Sequence, residues 1–372
     1  MAEFQEVIVV GGGAIGASCA RELARAGRSV LVIDRGRGTG EAWTAAGGML
    51  APQIEAHAED LLFDLGLAGR NRYTELAGTL KETTGIDIGL WQGGIAQIAQ
   101  AEDSVESLKS KVAWQRQQGH LCDWLAADEV ANRWPWMGPT NGALWAPEEG
   151  ALNPVHLVEA LMADAQAAGA RVVHDTATRL ERHGDKVIGV VGKQIYHSDV
   201  VLIAAGAWSG KLDGLPRPIS VEPVRGQMAA VPWPEMMEPF VMYSNDGYII
   251  VHDGEALLGS TMENAGYEAE VTSAGLASLF STATSLCPGL GKQTVSRTWA
   301  GLRPVSPDGL PIVGREPSVD GLWIATGHGR NGILLAAITG MLISEMISGD
   351  SVTAIESTET LNALDPARFW RW

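Results

Sequence analysis

The feature that most constrains this chain is a glycine-rich turn between a strand and a helix near the N-terminus. The β-branched run at residues 6–10 leads into Gly-Gly-Gly-Ala-Ile-Gly at 11–16, and helix-forming composition continues to residue 26. A second strand pattern follows at 29–33 and ends at Asp34. This order of strand, turn, helix and strand predicts a βαβ unit with two parallel strands.

The glycines of this turn, Gly11, Gly13 and Gly16, match the G-x-G-x-x-G pattern of dinucleotide-binding units. The first permits the tight turn, the second lets backbone approach a pyrophosphate, and the third lets the helix pack closely on the strand. Unpaired N–H groups at the helix N-terminus favour phosphate. Asp34 lies 18 residues after Gly16, a spacing suited to accepting ribose hydroxyls. A 2′-phosphate fits poorly beside Asp34, so we interpret Arg35 as a surface arginine at the edge of this site.

Composition excludes several function classes. The 372 residues are 46% apolar, which suits two closely packed domains. The formal charge of −17 disfavours nucleic acid and anionic lipid, because binding them needs clustered Lys and Arg. The three cysteines, Cys19, Cys122 and Cys287, are far apart and lack C-x-x-C spacing. We therefore expect no disulfide, no metal site and a reducing compartment.

No segment has the pattern of a membrane anchor. The longest apolar run, residues 332–343, is shorter than the about 20 residues that span a bilayer, so we predict a buried helix there. The N-terminal segment lacks a signal-peptide pattern. These features favour a cytoplasmic protein without a transmembrane segment.

Helices and strands alternate along the rest of the chain. Helical composition occurs at residues 57–84, 154–168, 271–286 and after 332. Strand patterns occur at 171–191, 200–204 and 322–325, whereas 85–145 is mixed and rich in tryptophan. A β-hairpin is predicted from strands at 248–252 and 256–262 around Asp253-Gly254.

Five short blocks occur in a fixed order. They are Thr-Ala-Ala-Gly-Gly-Met-Leu at 44–50, Ala-Ala-Gly-Ala-Trp-Ser at 204–209, Trp-Ala-Gly-Leu-Arg-Pro at 299–304, Pro-Ile-Val-Gly at 311–314 and Gly-His-Gly-Arg-Asn-Gly-Ile-Leu at 327–334. Together they resemble the D-amino-acid oxidase superfamily of flavoproteins, and within it the glycine oxidases, which are associated with thiamine biosynthesis. The resemblance runs from about residue 7 to residue 349.

The resemblance implies an α/β (α+β) fold in which a doubly wound, Rossmann-type FAD-binding domain is interleaved with a mainly antiparallel β substrate domain. The expected division is FAD-binding segments 1–84, 148–218 and 299–372, and substrate segments 85–147 and 219–298. Sarcosine-oxidase relatives carry a flavin-linked cysteine in the segment that matches residues 303–314. No cysteine lies there, so we expect non-covalent FAD.

Small residues allow the backbone to pass close to a flavin in several of these blocks. The glycines at 327–332 lead into the apolar helix, whose N-terminus can face the flavin edge where negative charge develops. Taken with the glycine turn, the resemblance implies cofactor contacts at Gly11, Gly13, Ala14, Ile15, Gly16, Asp34, Arg35, Thr44, Ala45, Ala46, Gly48, Met49, Thr178, Ala205, Gly206, Trp208, Gly301, Arg303, His328, Gly329, Arg330, Asn331, Gly332 and Ile333.

Arg303 lies in an apolar segment, and its planar guanidinium suits a carboxylate. The resemblance implies that Arg303 holds the substrate carboxylate, that Tyr248 donates to it, and that Tyr243, Met262 and Arg330 line the pocket. The structural alternatives are a salt bridge for Arg303, core packing for the tyrosines and Met262, and a solvated turn for Arg330.

Two positions depart from the resembling enzymes. Asp246 stands where glycine oxidases carry a histidine, and could bind a substrate ammonium or cap its turn. Ala51 occupies a position where small residues face the pocket. His328 is the obvious candidate for a catalytic base. We expect it to position the glycine turn instead, because hydride transfer needs a neutral amine and alignment more than a side-chain base.

The expected reaction is hydride transfer from Cα of glycine or a small D-amino acid to flavin N5, followed by imine hydrolysis and reoxidation by O₂ to H₂O₂. Three alternatives stay open: a D-amino-acid dehydrogenase that uses a quinone or carrier, an oxidase of sarcosine or a cyclic imino acid, and a flavin-binding protein without catalysis. The partners we expect are therefore an amino acid and O₂, within a homo-oligomer.

Overall fold

A computed structural model describes residues 4–234, 240–252, 254–355 and 357–370. Its helices are α1 (Ala14–Arg25), α2 (Pro52–Glu55), α3 (Leu61–Thr84), α4 (Asp103–Gln117), α5 (Ala127–Arg133), α6 (Pro154–Ala167), α7 (Ser273–Leu286), α8 (Gly332–Ser348) and α9 (Thr358–Leu364). Its strands are β1 (Gln5–Val10), β2 (Val30–Asp34), β3 (Met49–Leu50), β4 (Ile95–Ile98), β5 (Asp123–Leu125), β6 (Ala143–Ala146), β7 (Gly150–Ala151), β8 (Arg171–His174), β9 (Arg179–His183), β10 (Lys186–Val191), β11 (Ile195–Ile203), β12 (Glu222–Pro232), β13 (Val241–Ser244), β14 (Gly247–His252), β15 (Glu255–Gly259), β16 (Arg297–Val305), β17 (Ile312–Arg315) and β18 (Leu322–Thr326).

The first large sheet has the order β17-β18-β11-β1-β2-β8, with β10 and β9 added beside β11. The pairs β18–β11, β11–β1, β1–β2 and β2–β8 are parallel. The helix α1 is the crossover between β1 and β2, so the βαβ unit predicted from the glycine turn is present. The strands β1 and β2 are almost wholly buried, as expected for a parallel sheet covered on both faces.

The second large sheet has the order β16-β12-β15-β14-β13-β4-β6-β5. Its pairs are antiparallel except β13 with β4. A parallel sheet joined to a mainly antiparallel one confirms the predicted fold class. The five-segment domain division stays a prediction, and β16 crosses its boundary at 298/299 while pairing with β12 along its whole length.

The two faces of the first sheet are covered differently. The helices α1, α3, α6 and α8 pack on one face, and the antiparallel hairpin of β9 and β10 packs on the other. Residues 329–348 are apolar and long enough to cross a membrane by composition alone. In the structure α8 contacts α1 and α3, and Leu335, Ala336 and Ile343 are among its fully buried residues. The predicted buried helix is therefore present.

The sequence misplaced the start of one helix and the end of one hairpin, and it missed another helix. The helix expected from residue 57 begins at Leu61, because Asp60 accepts the N–H of Phe63 at 2.9 Å and caps it. The helix α4 was missed because few of its residues are buried, so its apolar pattern is weak. The hairpin ends at Gly259 instead of Met262, since Thr261 turns to accept the N–H of Gln227 at 2.9 Å. Its turn residue Asp253 lies outside the described residues.

Candidate active site between the two sheets

A cavity of about 630 Å³ lies where the two large sheets meet. Its walls come from the C-terminal ends of β1, β2 and β11 on one side and from β13, β14 and β16 on the other. Ligand sites of folded proteins have volumes of roughly 300–1,000 Å³, and they favour the carboxyl ends of parallel strands. We call the part beside β1 and β2 the dinucleotide end and the part beside β14 and β16 the substrate end.

Glycine is required at two positions of the dinucleotide end. Gly11 has φ +102°, and a Cβ there would lie 2.5 Å from the Ala204 carbonyl oxygen. A Cβ on Gly16 would lie 1.9 Å from the Gly11 carbonyl oxygen. The tight turn and the close contact of α1 with β1 therefore depend on the absence of these side chains.

The carboxylate of Asp34 stands at the end of β2 and is held by backbone. Its Oδ2 accepts the N–H of Gly12 at 2.6 Å, and its Oδ1 accepts the N–H of Gly36 at 2.7 Å. Each carboxylate oxygen has a second lone pair, so both can still accept a hydroxyl of a bound ribose. Asp34 is thus oriented for the predicted contact before any ligand arrives.

Arg35 lies at the edge of the same end. Its Nη2 pairs with Glu41 Oε1 at 2.8 Å, and its guanidinium lies 4.1 Å from the centre of the Trp208 ring. Glu41 was not predicted. Its Oε2 is buried without a partner among the described residues, and the residue lines the cavity. Such an acceptor needs a donor from a ligand or a water, because an unpaired buried oxygen is costly.

The structure brings most of the predicted cofactor residues to one cavity. The lining includes Gly11, Gly13, Ala14, Ile15, Asp34, Arg35, Ala45, Ala46, Gly48, Met49, Thr178, Ala205, Gly206, Trp208, Gly301, Arg303, His328, Gly329, Arg330, Asn331, Gly332 and Ile333. Gly16 lies behind this wall as a packing position. Thr44 is also outside the lining, because its hydroxyl donates to the Glu41 carbonyl at 2.8 Å, so its predicted cofactor contact has no support here.

The first turn of α8 points its backbone at the cavity. Gly332, Ile333 and Leu334 line it, and no side chain caps the helix. The Tyr73 hydroxyl donates to the Ile333 carbonyl and fixes this turn from α3. An uncapped helix N-terminus carries a partial positive charge, which stabilises negative charge on a bound group.

His328 is buried directly before that turn. It is 1% exposed, and its Nε2 lies 3.0 Å from the Thr339 hydroxyl. Burial lowers the pKa of His328 to about 3, so the ring is neutral at physiological pH. These contacts fit the expected positioning role better than that of a base.

Arg303 is the central group of the substrate end. Its Nη2 donates to the Ser260 hydroxyl at 2.6 Å and its Nη1 to the Thr261 carbonyl at 3.1 Å. Among the described residues it forms no ion pair with a carboxylate, so the salt-bridge alternative finds no partner there. A Cβ on Gly226 would lie 2.2 Å from the guanidinium, which explains the glycine on the facing strand. Burial lowers the pKa of Arg303, so binding an anion relieves an unfavourable charge.

Two tyrosines of the β13–β14 hairpin stand beside Arg303. Tyr248 is directly opposite Tyr243 in the ladder, and both line the cavity. The Tyr248 hydroxyl lies 3.5 Å from Met228 Sδ, a weak acceptor that leaves the hydroxyl available to a stronger one. Burial raises the pKa of both tyrosines, so they remain protonated donors.

An ion pair that sequence analysis did not predict forms the next part of the wall. Arg330 Nε lies 3.1 Å from Glu55 Oε2, and Arg330 Nη1 lies 3.5 Å from the Tyr243 hydroxyl. Burial raises the pKa of Glu55, and the cationic Arg330 opposes that rise. Arg330 lies in the turn before α8 with its side chain 41% exposed, and it is also paired with Glu55 at the cavity. In the sequence Glu55 lies four residues after Ala51, and no pattern marked it as a cavity residue.

The remaining predicted residues mark the rim and floor of the substrate end. Ala51 is buried and lines the cavity. Asp246 is exposed at the β13–β14 turn, where it faces the cavity mouth. Met262 is 64% exposed, so the core-packing alternative for Met262 was wrong. Ala51 is small and leaves space open, whereas the rings of Tyr243 and Tyr248 narrow this end of the cavity.

Comparisons with known proteins agree with this geometry. A family model described as "FAD dependent oxidoreductase" matches residues 6–346. A glycine oxidase from Geobacillus kaustophilus is 33% identical over 355 residues, which cover 93% of this chain and 94% of that enzyme. The crystal structure of glycine oxidase from Geobacillus kaustophilus superposes with a TM-score of 0.90 at 30% identity, over 98% of this chain and 99% of the other.

A second kind of relative is longer than this chain. The bifunctional protein ThiO/ThiG of a Synechocystis species is 31% identical over 380 residues, which cover 99% of this chain and 55% of that protein. The similarity therefore covers nearly the whole chain in these comparisons. FAD fits the site, because one cavity is lined by the glycine turn, the oriented Asp34, the uncapped α8 N-terminus and Glu41, whose Oε2 has no partner among the described residues.

Proposed function

This chain belongs to the family of FAD dependent oxidoreductases, and from that premise we propose that it oxidatively deaminates glycine or a small D-amino acid. In the balanced reaction the amino acid, O₂ and water give the oxo acid, ammonium and H₂O₂. The observation that carries this proposal is Arg303, a partly buried arginine that pairs with no carboxylate among the described residues and stands beside the hydroxyl of Tyr248.

The substrate carboxylate binds Arg303 in this proposal. Ser260 and Thr261 hold two of the five guanidinium N–H donors and fix its plane, which leaves donors for a bidentate contact. The Tyr248 hydroxyl donates a further hydrogen bond to the same carboxylate. The Tyr243 ring restricts the space beyond Cα, whereas Ala51 leaves room there for a small side chain.

Bound FAD supplies the hydride acceptor and returns the electrons to O₂. This chain's own residues bind and orient it through Gly11, Gly13 and Asp34 at one end of the cavity. The uncapped N-terminus of α8 stabilises negative charge at the other end. Since no cysteine lines the cavity among the described residues, we propose that FAD is held non-covalently.

No side chain is needed to remove the substrate Cα proton, because hydrogen leaves Cα as hydride. His328 is neutral and bonded to Thr339, and Glu55 is engaged by Arg330. The protein's contribution is alignment of Cα–H, exclusion of water and charge complementarity at the carboxylate. We propose that the amine loses its extra proton to water before the bond breaks.

The ThiO/ThiG similarity supports a further proposal, that the product serves thiamine biosynthesis in the cytoplasm.

A steady-state panel of amino acids tests the proposed oxidase activity. O₂ uptake and H₂O₂ release are measured with glycine, D-alanine, sarcosine and D-proline, and with L-alanine as the control. We expect turnover with glycine or D-alanine and none with L-alanine. Turnover only with an artificial quinone acceptor, or only with sarcosine or D-proline, would overturn the proposal.

A further inference from the structure

The short helix α2 places two residues in the substrate end of the cavity. Ala51 precedes the helix, and Glu55 is its last residue. A four-residue helix has little stability of its own, because helix nucleation is costly. Ala51 at its N-cap position has no side chain that can accept a hydrogen bond. The position of α2 therefore depends on groups from other elements.

Glu149 supplies the missing cap from the turn between β6 and β7. It is fully buried, and its carboxyl oxygens accept the backbone N–H of Gln53 and, at 3.3 and 3.4 Å, that of Ile54. These are the free N–H groups of the first helical turn, which a local Ser or Asp ordinarily satisfies. Glu149 performs this role from 96 residues away.

Lys111 of α4 holds the carbonyl side of the same residue, Ile54. Its Nζ donates to the Ile54 carbonyl oxygen and, at 3.1 Å, to Gln97 Oε1. Ile54 is thus fixed at its N–H by Glu149 and at its carbonyl by Lys111. The next residue is Glu55, which pairs with Arg330 in the cavity wall.

The side chain of Gln53 adds a third set of hydrogen bonds that hold α2 in place. Its Nε2 donates to Gln115 Oε1 at 3.1 Å, and its Oε1 accepts from Arg70 Nη1 at 2.8 Å. The Gln115 amide donates back to the Gln53 carbonyl at 2.8 Å. Gln53, Gln115 and Glu149 have no exposed surface, so this network is shielded from water.

We propose that Glu149 and Lys111 are positioning residues of the active site, which fix α2 and so set the places of Ala51 and Glu55 against the substrate. They touch neither substrate nor cofactor. The inference rests on the proposed function where it concerns substrate binding, and on the hydrogen bonds alone where it concerns the helix.

The ionisation of the pair fits a hydrogen-bonding role. Burial raises the pKa of Glu149 to about 8, and burial lowers the pKa of Lys111 to about 8. The charged groups that face Glu149 are Arg70 and Lys111. A protonated carboxyl still has an acceptor oxygen, so glutamine at position 149 preserves the cap, whereas leucine removes it.

Hydrogen exchange of the backbone amides at 53–56 tests the positioning role without any substrate. The variants are Glu149→Leu, Glu149→Gln and Lys111→Met in FAD-loaded protein, with Glu106→Gln on α4 as the control, since the Glu106 side chain is exposed and pairs with Lys109 at the surface. We expect Glu149→Leu to speed exchange at least about tenfold and Lys111→Met about threefold. Glu149→Gln and Glu106→Gln should stay near the wild type. Unchanged exchange in both Glu149→Leu and Lys111→Met would overturn the positioning role.

Kinetics test the link to the substrate. In Glu149→Leu and Lys111→Met we expect KM for the amino acid to rise about tenfold while kcat changes less than about threefold, since the reacting bond is not touched. If Glu149→Leu does not fold, Lys111→Met carries both tests. Faster exchange with an unchanged KM would overturn the link. A wild type that oxidises no amino acid would overturn the proposed function, while exchange still decides the helix.

Discussion

The dinucleotide end of the cavity is built from backbone, whereas its substrate end is built from side chains that come from distant segments. Gly11, Gly16 and Asp34 lie within one βαβ unit, and their partners are neighbouring peptide groups. Arg303 lies on β16 and Tyr248 on β14, two strands distant in sequence that the second sheet brings together. A substitution that disturbs the dinucleotide end should abolish binding of the cofactor. A substitution at the substrate end should change only the kinetic constants for the amino acid.

The largest effect is expected at Gly16 in α1. Gly16→Ala forces a Cβ against the Gly11 carbonyl, and overpacking of this kind costs about 1–3 kcal/mol or more. We expect a protein that purifies without flavin and has a lower melting temperature, measured by visible absorbance and thermal unfolding. Gly78→Ala in α3 is the matched control, because a Cβ there meets nothing within 4 Å. A yellow Gly16→Ala protein would show that this contact is dispensable.

Arg303 should give the largest effect at the substrate end. Arg303→Ala removes the charged partner of the carboxylate, and hydrogen bonds to charged groups contribute about 1.5–3 kcal/mol each. We expect kcat/KM to fall by roughly 10²- to 10³-fold while FAD content is unchanged. Arg297→Ala on the same strand serves as control, since its pair with Glu255 is exposed at the surface. Unchanged kcat and KM in Arg303→Ala would show that Arg303 does not bind the substrate carboxylate.

Replacing Tyr248 should also lower kcat/KM, but by less than replacing Arg303. Tyr248→Phe keeps the ring that packs against the cavity and removes the hydroxyl, which is worth about 0.5–1.5 kcal/mol. The expected loss in kcat/KM is therefore about two- to tenfold, again without loss of FAD. Tyr196→Phe, whose hydroxyl donates to Asp175 at 2.8 Å beside the dinucleotide end of the cavity, is the comparison. Equal losses in both variants would mean that the hydroxyl of Tyr248 has no special role.

Glu149→Gln should have the smallest effect on catalysis. It should instead change how the free energy of unfolding depends on pH. Burial raises the folded pKa of Glu149 from its ordinary value of 4.5 to about 8. The folded chain holds this proton more tightly, so the contribution to stability is present below pH 4.5 and is lost as pH rises to about 8. The slope for one proton is at most about 1.4 kcal/mol per pH unit.

Urea unfolding at several pH values, with fixed FAD, measures this slope. Lys111, whose pKa is lowered to about 8, adds a change of opposite sign only above that pH. Glu149→Gln should therefore flatten the decline between pH 5 and 8. If the free energy of unfolding declines equally in the wild type and in Glu149→Gln, titratable groups other than Glu149 cause the decline.

Sequence reasoning succeeded where function is encoded locally. The glycine turn, α1 and Asp34 follow from spacing along some thirty residues, and the parallel sheet follows from them. Resemblance supplied Arg303 and Tyr248, because their blocks are recognisable even though their contacts are long-range. The fold class was confirmed, but the end of β15 was misplaced by three residues, since the turn at Ser260 and Thr261 serves Arg303.

The remaining site residues could not be predicted, because no short sequence pattern encodes their positions. Glu55 reaches the cavity only through α2, and α2 is held by Glu149 and Lys111 from two other elements. Glu41 acquires its unpaired oxygen only when the turn after β2 folds against β16. A buried polar network carries no periodic signal, so only its three-dimensional arrangement discloses it.

The visible spectrum recorded without oxygen, during addition of glycine and then of D-alanine, tests the central claim most directly. The account predicts a yellow protein whose flavin absorption bleaches with at least one of these amino acids and stays unchanged with L-alanine. A yellow protein that neither amino acid bleaches, or a colourless one that does not take up added FAD, would contradict it.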